Sequence, residues 1–164
     1  MKRNSSIAVC IACTLLASGF AAAGEAIDSL IGSWVSSDGS ARQRYEPDLD
    51  GSWINTRMWF RTDASWQLVA TGSLYRHSGK EGWQGISRAT GMDGIELFET
   101  VLQPVAVDEF AVRNISYNAD GTTMISEETW LFDGSDRFTY TVFVVEDGRK
   151  KPIYEGTWVR ESSR

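Results

Sequence analysis

From residue 31 onward, apolar and polar side chains alternate with the two-residue period of extended chain. On 52–61, Ile54, Thr56, Met58 and Phe60 fall on one side of a strand, and Trp53, Asn55, Arg57 and Trp59 on the other. On 122–132, Met124, Ser126, Glu128, Trp130 and Phe132 share one side, and Ile125, Glu127, Thr129 and Leu131 the other. Only Ala26–Leu30, with Asp28 near its start, reads as a short helix. Turn signals interrupt the alternation at short intervals: Asp38-Gly39, Asp50-Gly51, Thr62-Asp63, Ser78-Gly79, Met92-Asp93-Gly94, Asn118-Ala119-Asp120-Gly121, Asp133-Gly134 and Asp147-Gly148. Such pairs tolerate the positive φ that tight hairpins need.

Strands are therefore expected near 31–36, 41–46, 52–61, 65–77, 83–89, 95–103, 109–117, 122–132, 137–146 and 151–160, rich in the β-branched and aromatic residues that suit a pleated surface. Short loops between long strands predict an all-β fold: one up-and-down antiparallel barrel of about ten strands, whose closure removes exposed edges. An open two-sheet sandwich is the other arrangement this pattern allows.

The first 23 residues break the pattern. Lys2 and Arg3 precede the apolar run Ile7–Leu16, and Ala21, Ala22 and Ala23 follow it. A basic start, a core too short to span a bilayer and small residues at the end make a secretory signal peptide, with cleavage expected near Ala23. The mature domain would then be 24–164, periplasmic or secreted, with no stable membrane insertion.

Export changes the composition. Both cysteines, Cys10 and Cys13, lie in the signal, so the mature domain holds no thiol or disulfide and depends on its hydrophobic core. The full chain carries a formal charge of −6, and losing Lys2 and Arg3 leaves 14 basic residues against 22 acidic ones. That balance argues against nucleic acid as a partner.

Much chemistry is excluded. One histidine and no mature cysteine rule out Cys–His catalysis and clusters of His or Cys metal ligands, and no metal or cofactor is expected. His77 stands at a strand end beside Ser78-Gly79, where a surface loop histidine is the simpler reading. The glycines mark turns, not phosphate-binding loops.

What remains are the mixed faces. If the Trp53, Asn55, Arg57, Trp59 face looks inward, Arg57 could meet an anionic or carbonyl group of a ligand held between the two indoles; if outward, Arg57 lies over surface tryptophans. Either face of 122–132 carries one glutamate. Buried, Glu128 or Glu127 would need a partner such as Arg57 or Arg113, or would have a raised pKa. Tyr140 is a further candidate beside that carboxylate. The expected ligand-binding set is Trp53, Asn55, Arg57, Trp59, Arg113, Glu128 and Tyr140. The seven tryptophans can fill a barrel core or line a cavity.

The opening Leu30-Ile31-Gly32-Ser33-Trp34 resembles the Gly-x-Trp start of lipocalin-like (calycin) barrels, in which the Trp plugs the closed end. With the Trp-rich hairpin after it and Glu155-Gly156-Thr157-Trp158-Val159-Arg160 at the end, the chain is similar to a family of small bacterial lipocalin-like proteins of unknown function. More distantly it resembles nitrobindin-like barrels. Those hold haem through a histidine near the chain's end, and none follows His77 here. The resemblance implies a barrel that encloses a small hydrophobic or amphipathic molecule. A small barrel enzyme of isomerase, cyclase or hydratase type, using a cavity carboxylate, and a surface-acting structural module are the alternatives.

Overall fold

The computed structural model describes residues 27–162 except 64, 93, 147 and 148. The expected signal peptide, 1–23, lies outside the described residues. Ten strands follow in order: β1 (Gly32–Ser36), β2 (Ala41–Asp48), β3 (Trp53–Arg61), β4 (Trp66–Arg76), β5 (Trp83–Ala89), β6 (Ile95–Ala106), β7 (Glu109–Asn118), β8 (Thr123–Phe132), β9 (Arg137–Glu146) and β10 (Arg149–Arg160). Each strand pairs antiparallel with the next, and β1 pairs with β10, so the sheet closes into an up-and-down barrel. The open sandwich is thereby ruled out. The Trp34↔Arg160 and Ser36↔Trp158 pairings make the seam.

The short helix expected at Ala26–Leu30 is not established. Its described part is one turn, closed by Leu30 N–H to Ile27 O at 2.9 Å and Ile31 N–H to Asp28 O at 3.2 Å. The five described residues before β1, 27–31, are too few by themselves to carry a helix beyond its costly first turn. Among the described residues no helix is long and apolar enough to cross a membrane.

One end of the barrel is packed solid. Leu30, Trp34, Leu102, Phe110 and Phe138 are fully buried there, with Ile54, Leu74, Trp83 and Phe132 around them. Phe138 is the hub: its ring lies 4.9 Å from Trp34 edge-on, 4.9 Å from Phe132 and 5.5 Å from Trp130 in stacked contact. Aromatic pairs at these spacings stabilise beyond their buried area, which suits a core that no disulfide supports.

Trp34 plugs this end. Its indole Nε1–H donates to Leu30 O at 2.7 Å, and the Arg160 guanidinium covers its ring at 4.4 Å. Arg160 also donates to the carbonyls of Ile31, Ser29 and Ser135 at 2.6, 2.8 and 2.7 Å, tying the first turn to the last strand. Gly32 makes room for this: at φ 130° it is in a conformation that L side chains rarely adopt, and a Cβ there would collide with Arg160 Nη1.

A cavity above the plug with one carboxylate in its wall

Toward the other end the packing opens into a cavity of about 270 Å³. Its existence traces to small residues. Ala70 and Gly72 on β4 pair with Ala89 and Ser87 on β5, so this wall contributes almost no side-chain volume. Gly85 on β5 faces Thr100 on β6 in the same way. Opposite stand the large residues of β8–β10, Trp130, Tyr140 and Trp158. Tyr140 lies flat against this wall because its cross-strand partner is Gly156, whose missing side chain leaves space for the phenol ring. Stacked rings run from Phe138 in the plug to Trp158, and on to Tyr140 at 6.2 Å.

Polar groups converge on Glu128. Asn114 Nδ2–H donates to its Oε1 at 2.7 Å, and Trp130 Nε1–H donates to its Oε2 at 2.6 Å. Thr100 in turn donates its hydroxyl to Asn114 Oδ1 at 2.7 Å. Strand geometry sets this up. Trp130 stands two residues beyond Glu128 and so shares its face, while Asn114 reaches it from β7 as a diagonal cross-strand neighbour. On the facing wall, Tyr45 donates its hydroxyl to Gln43 Oε1 at 2.7 Å, and Gln43 leans on Met58 Sδ.

The electrostatics follow from enclosure. Burial raises the Glu128 carboxyl above its usual range, only partly offset by the hydrogen bonds from Trp130 and Asn114. The Tyr45 phenol is also pushed up, first by burial and then by the Glu128 charge. Tyr140 is raised by burial, its hydrogen bond with Tyr154 and the charges of Tyr154 and Glu128. Enclosure thus shifts each of the three in the direction of its neutral form. No group of three or more His, Cys, Asp or Glu side chains able to hold a metal ion occurs among the described residues.

Of the seven residues singled out from the sequence, three border the cavity: Glu128, Tyr140 and Arg57. Trp53, Asn55, Arg57 and Trp59 have their side chains on the outside of β3, because Ile54, Thr56 and Met58 take the inner face. Arg57 borders the cavity, but its guanidinium is half exposed and 3.6 Å from Glu46 on β2. Trp53 stacks on Tyr75, with ring centroids 5.3 Å apart. Asn55 bonds Asp48 at 3.2 Å. Arg113 is exposed on β7, cross-strand from Glu127, which pairs with Lys150 at 2.5 Å. Of the two arrangements open to β3 the barrel takes the outward one, because the inner face is set by which side of the sheet the other strands need for their core. Trp53 and Trp59 are large apolar groups, but they cover outer sheet surface.

Asn114, Thr100, Gln43 and Tyr45 did not emerge from the sequence as site residues. Asn114 lies in a glycosylation-type triplet, Asn114-Ile115-Ser116, which has no bearing on a strand. The better signal was its phase: with Phe110, Val112 and Ser116 it shares the buried side of β7. An amide on an otherwise apolar inner face needs a polar partner nearby.

The fold is similar to that of a protein of unknown function from Bacteroides fragilis NCTC 9343. The TM-score is 0.41 and the identity 10%, over 72% of this chain and 93% of that one. No family model matches the sequence, and no curated protein matches it.

Proposed function

We propose that the protein is an exported, lipocalin-like binding barrel that holds a small amphipathic molecule in the cavity above the Trp34 plug. The observation carrying this reading is the contrast within one barrel: a tightly packed aromatic end, then a cavity lined by apolar and aromatic groups with a few convergent polar ones. That is the composition of small-molecule sites, whose drug-sized examples start at about 300 Å³. At about 270 Å³ this cavity suits a compact ligand. The Trp34 plug after Gly32 supports kinship with lipocalin-like barrels. The signal-like N-terminus supports export to the periplasm or beyond.

The test uses the indole N–H signals of the tryptophans in two-dimensional NMR, where Trp130 Nε1–H reports directly on the cavity. Titration with 2-phenylethanol is expected to shift the Trp130 signal and leave Trp53 unmoved. Native mass spectrometry of protein purified gently from its own export compartment is expected to show an added mass that denaturation removes. Unchanged indole signals together with a bare protein mass would sink the binding reading.

A further inference from the structure

The cavity's charges are lopsided. Among the described residues its polar side chains are Gln43, Tyr45, Thr56, Ser87, Thr100, Asn114, Glu128 and Tyr140, and of these Glu128 alone can carry a formal charge near neutrality. Arg57, the one basic residue among the described residues of the lining, turns its guanidinium outward to Glu46. The two donors that hold Glu128, an amide and an indole, are both neutral. They fix the carboxylate's position without supplying a countercharge. An ionised carboxylate has roughly four acceptor sites, so these two bonds leave accepting capacity for a third donor. The same cavity is lined by the aromatic rings of Trp130, Tyr140 and Trp158, and the faces of such rings attract cations.

We infer that the cavity takes a small organic amine, its ammonium seated on the Glu128 carboxylate and its apolar body against the rings of Trp130, Tyr140 and Trp158. The inference rests on the binding-barrel reading above and gives that site its ligand class. An anionic ligand would meet Glu128 and two phenol oxygens. A neutral one would leave the carboxylate without a counterion. An amine meets both the charge and the rings, and the same attraction would draw Glu128 into its ionised form on binding.

The test compares three molecules with the same phenyl body and similar length: 2-phenylethylamine, 2-phenylethanol and 3-phenylpropionate. Each is titrated into the full-length mature protein and followed by the Trp130 indole signal. The amine is expected to bind about tenfold or more tighter than the alcohol, and the acid not at all. Glu128→Gln provides the second arm. Its amide can be accommodated: Trp130 donates to the new Oε1, the new Nε2 donates to Asn114 Oδ1 after that amide turns over, and Asn114 then donates to Thr100 Oγ1. The variant is expected to keep the wild-type pattern of the other indole signals, to lose most of the preference for amine, and to bind the alcohol at least as well. If alcohol and amine bind wild type equally, or if Glu128→Gln leaves amine affinity unchanged, the amine inference falls and the cavity reading stands. If none of the three molecules moves the Trp130 signal, the amine inference falls, and the cavity reading falls with it when the native mass is also bare.

Discussion

Arg160 covers the indole of Trp34, its guanidinium carbon 4.4 Å from the ring centre, while three of its nitrogens bond the carbonyls of Ile31, Ser29 and Ser135. One side chain thus joins the turn before β1, the β8–β9 loop and the end of β10. Removing it would take the donor from two part-buried carbonyls and one exposed one and uncover the Trp34 ring, so Arg160→Ala is expected to cost about 1–3 kcal/mol. Arg160→Lys keeps the charge but not the planar fork and should recover less than half of that loss. Chemical denaturation, comparing midpoints at unchanged slope, measures both.

The Gly156–Tyr140 pair sets the width of the cavity. A side chain at 156 would overlap the Tyr140 ring and push it inward. Gly156→Val is expected to cost about 1–3 kcal/mol by overpacking. It should also weaken 2-phenylethylamine binding more than Gly156→Ala does. Calorimetric titration of the two variants gives the comparison.

The outward arginines are predicted to be bystanders. Arg57 is half exposed in its contact with Glu46, and Arg113 is exposed on β7. Exposed ion pairs contribute little, so Arg57→Ala and Arg113→Ala should each change stability by about 0.5 kcal/mol or less. Ligand affinity should stay within about twofold for both, a difference of roughly 0.4 kcal/mol. A large loss with Arg57→Ala would reverse the assignment of the inner face.

Stability should carry the signature of a raised carboxyl. The folded-state pKa of Glu128 lies above its unfolded value because burial disfavours the anion. Its contribution is therefore full below the unfolded carboxyl range and is lost as pH rises through the folded pKa. Glu128→Gln has no such titration. Unliganded Glu128→Gln should therefore gain stability relative to wild type as pH is raised from acid to neutral, read from denaturation midpoints across that range.

Amine binding should show the opposite dependence. It needs an ionised Glu128, and the groups facing it are Asn114, Trp130, Tyr45 and Tyr140, whose phenols stay neutral well past neutrality. Affinity for 2-phenylethylamine should therefore fall as pH drops through the Glu128 pKa, while that for 2-phenylethanol stays flat. Parallel titrations at several pH values separate the two.

All ten strands fall where turn residues and alternation place them. They differ at the ends, as where β6 runs on to Ala106 and β10 begins at Arg149. Local chemistry suffices for that much, because Gly134, at φ 71° in the Asp133-Gly134 turn, needs only its immediate neighbours to reverse the chain. Tyr140 and Glu128 were legible as candidates because a phenol and a carboxylate on apolar strands demand explanation. Asn114 was less so, since its partner lies on another strand.

The sequence by itself determined the strands, their order and the two faces of each one. It could not say which face is inside, because a period of two divides a strand into equivalent halves. On β8 each half offers one glutamate. Closure of the barrel chose between them, placing Glu128 with Phe132 and Trp130 over the core and leaving Glu127 outside with Lys150. That choice is collective: ten strands must point their core residues toward one axis, and Trp34, Phe110 and Phe138 meet there only in one phase. The cavity is likewise a tertiary product. It exists because the small residues of β4 and β5 come to face the large rings of β8, β9 and β10 across the barrel.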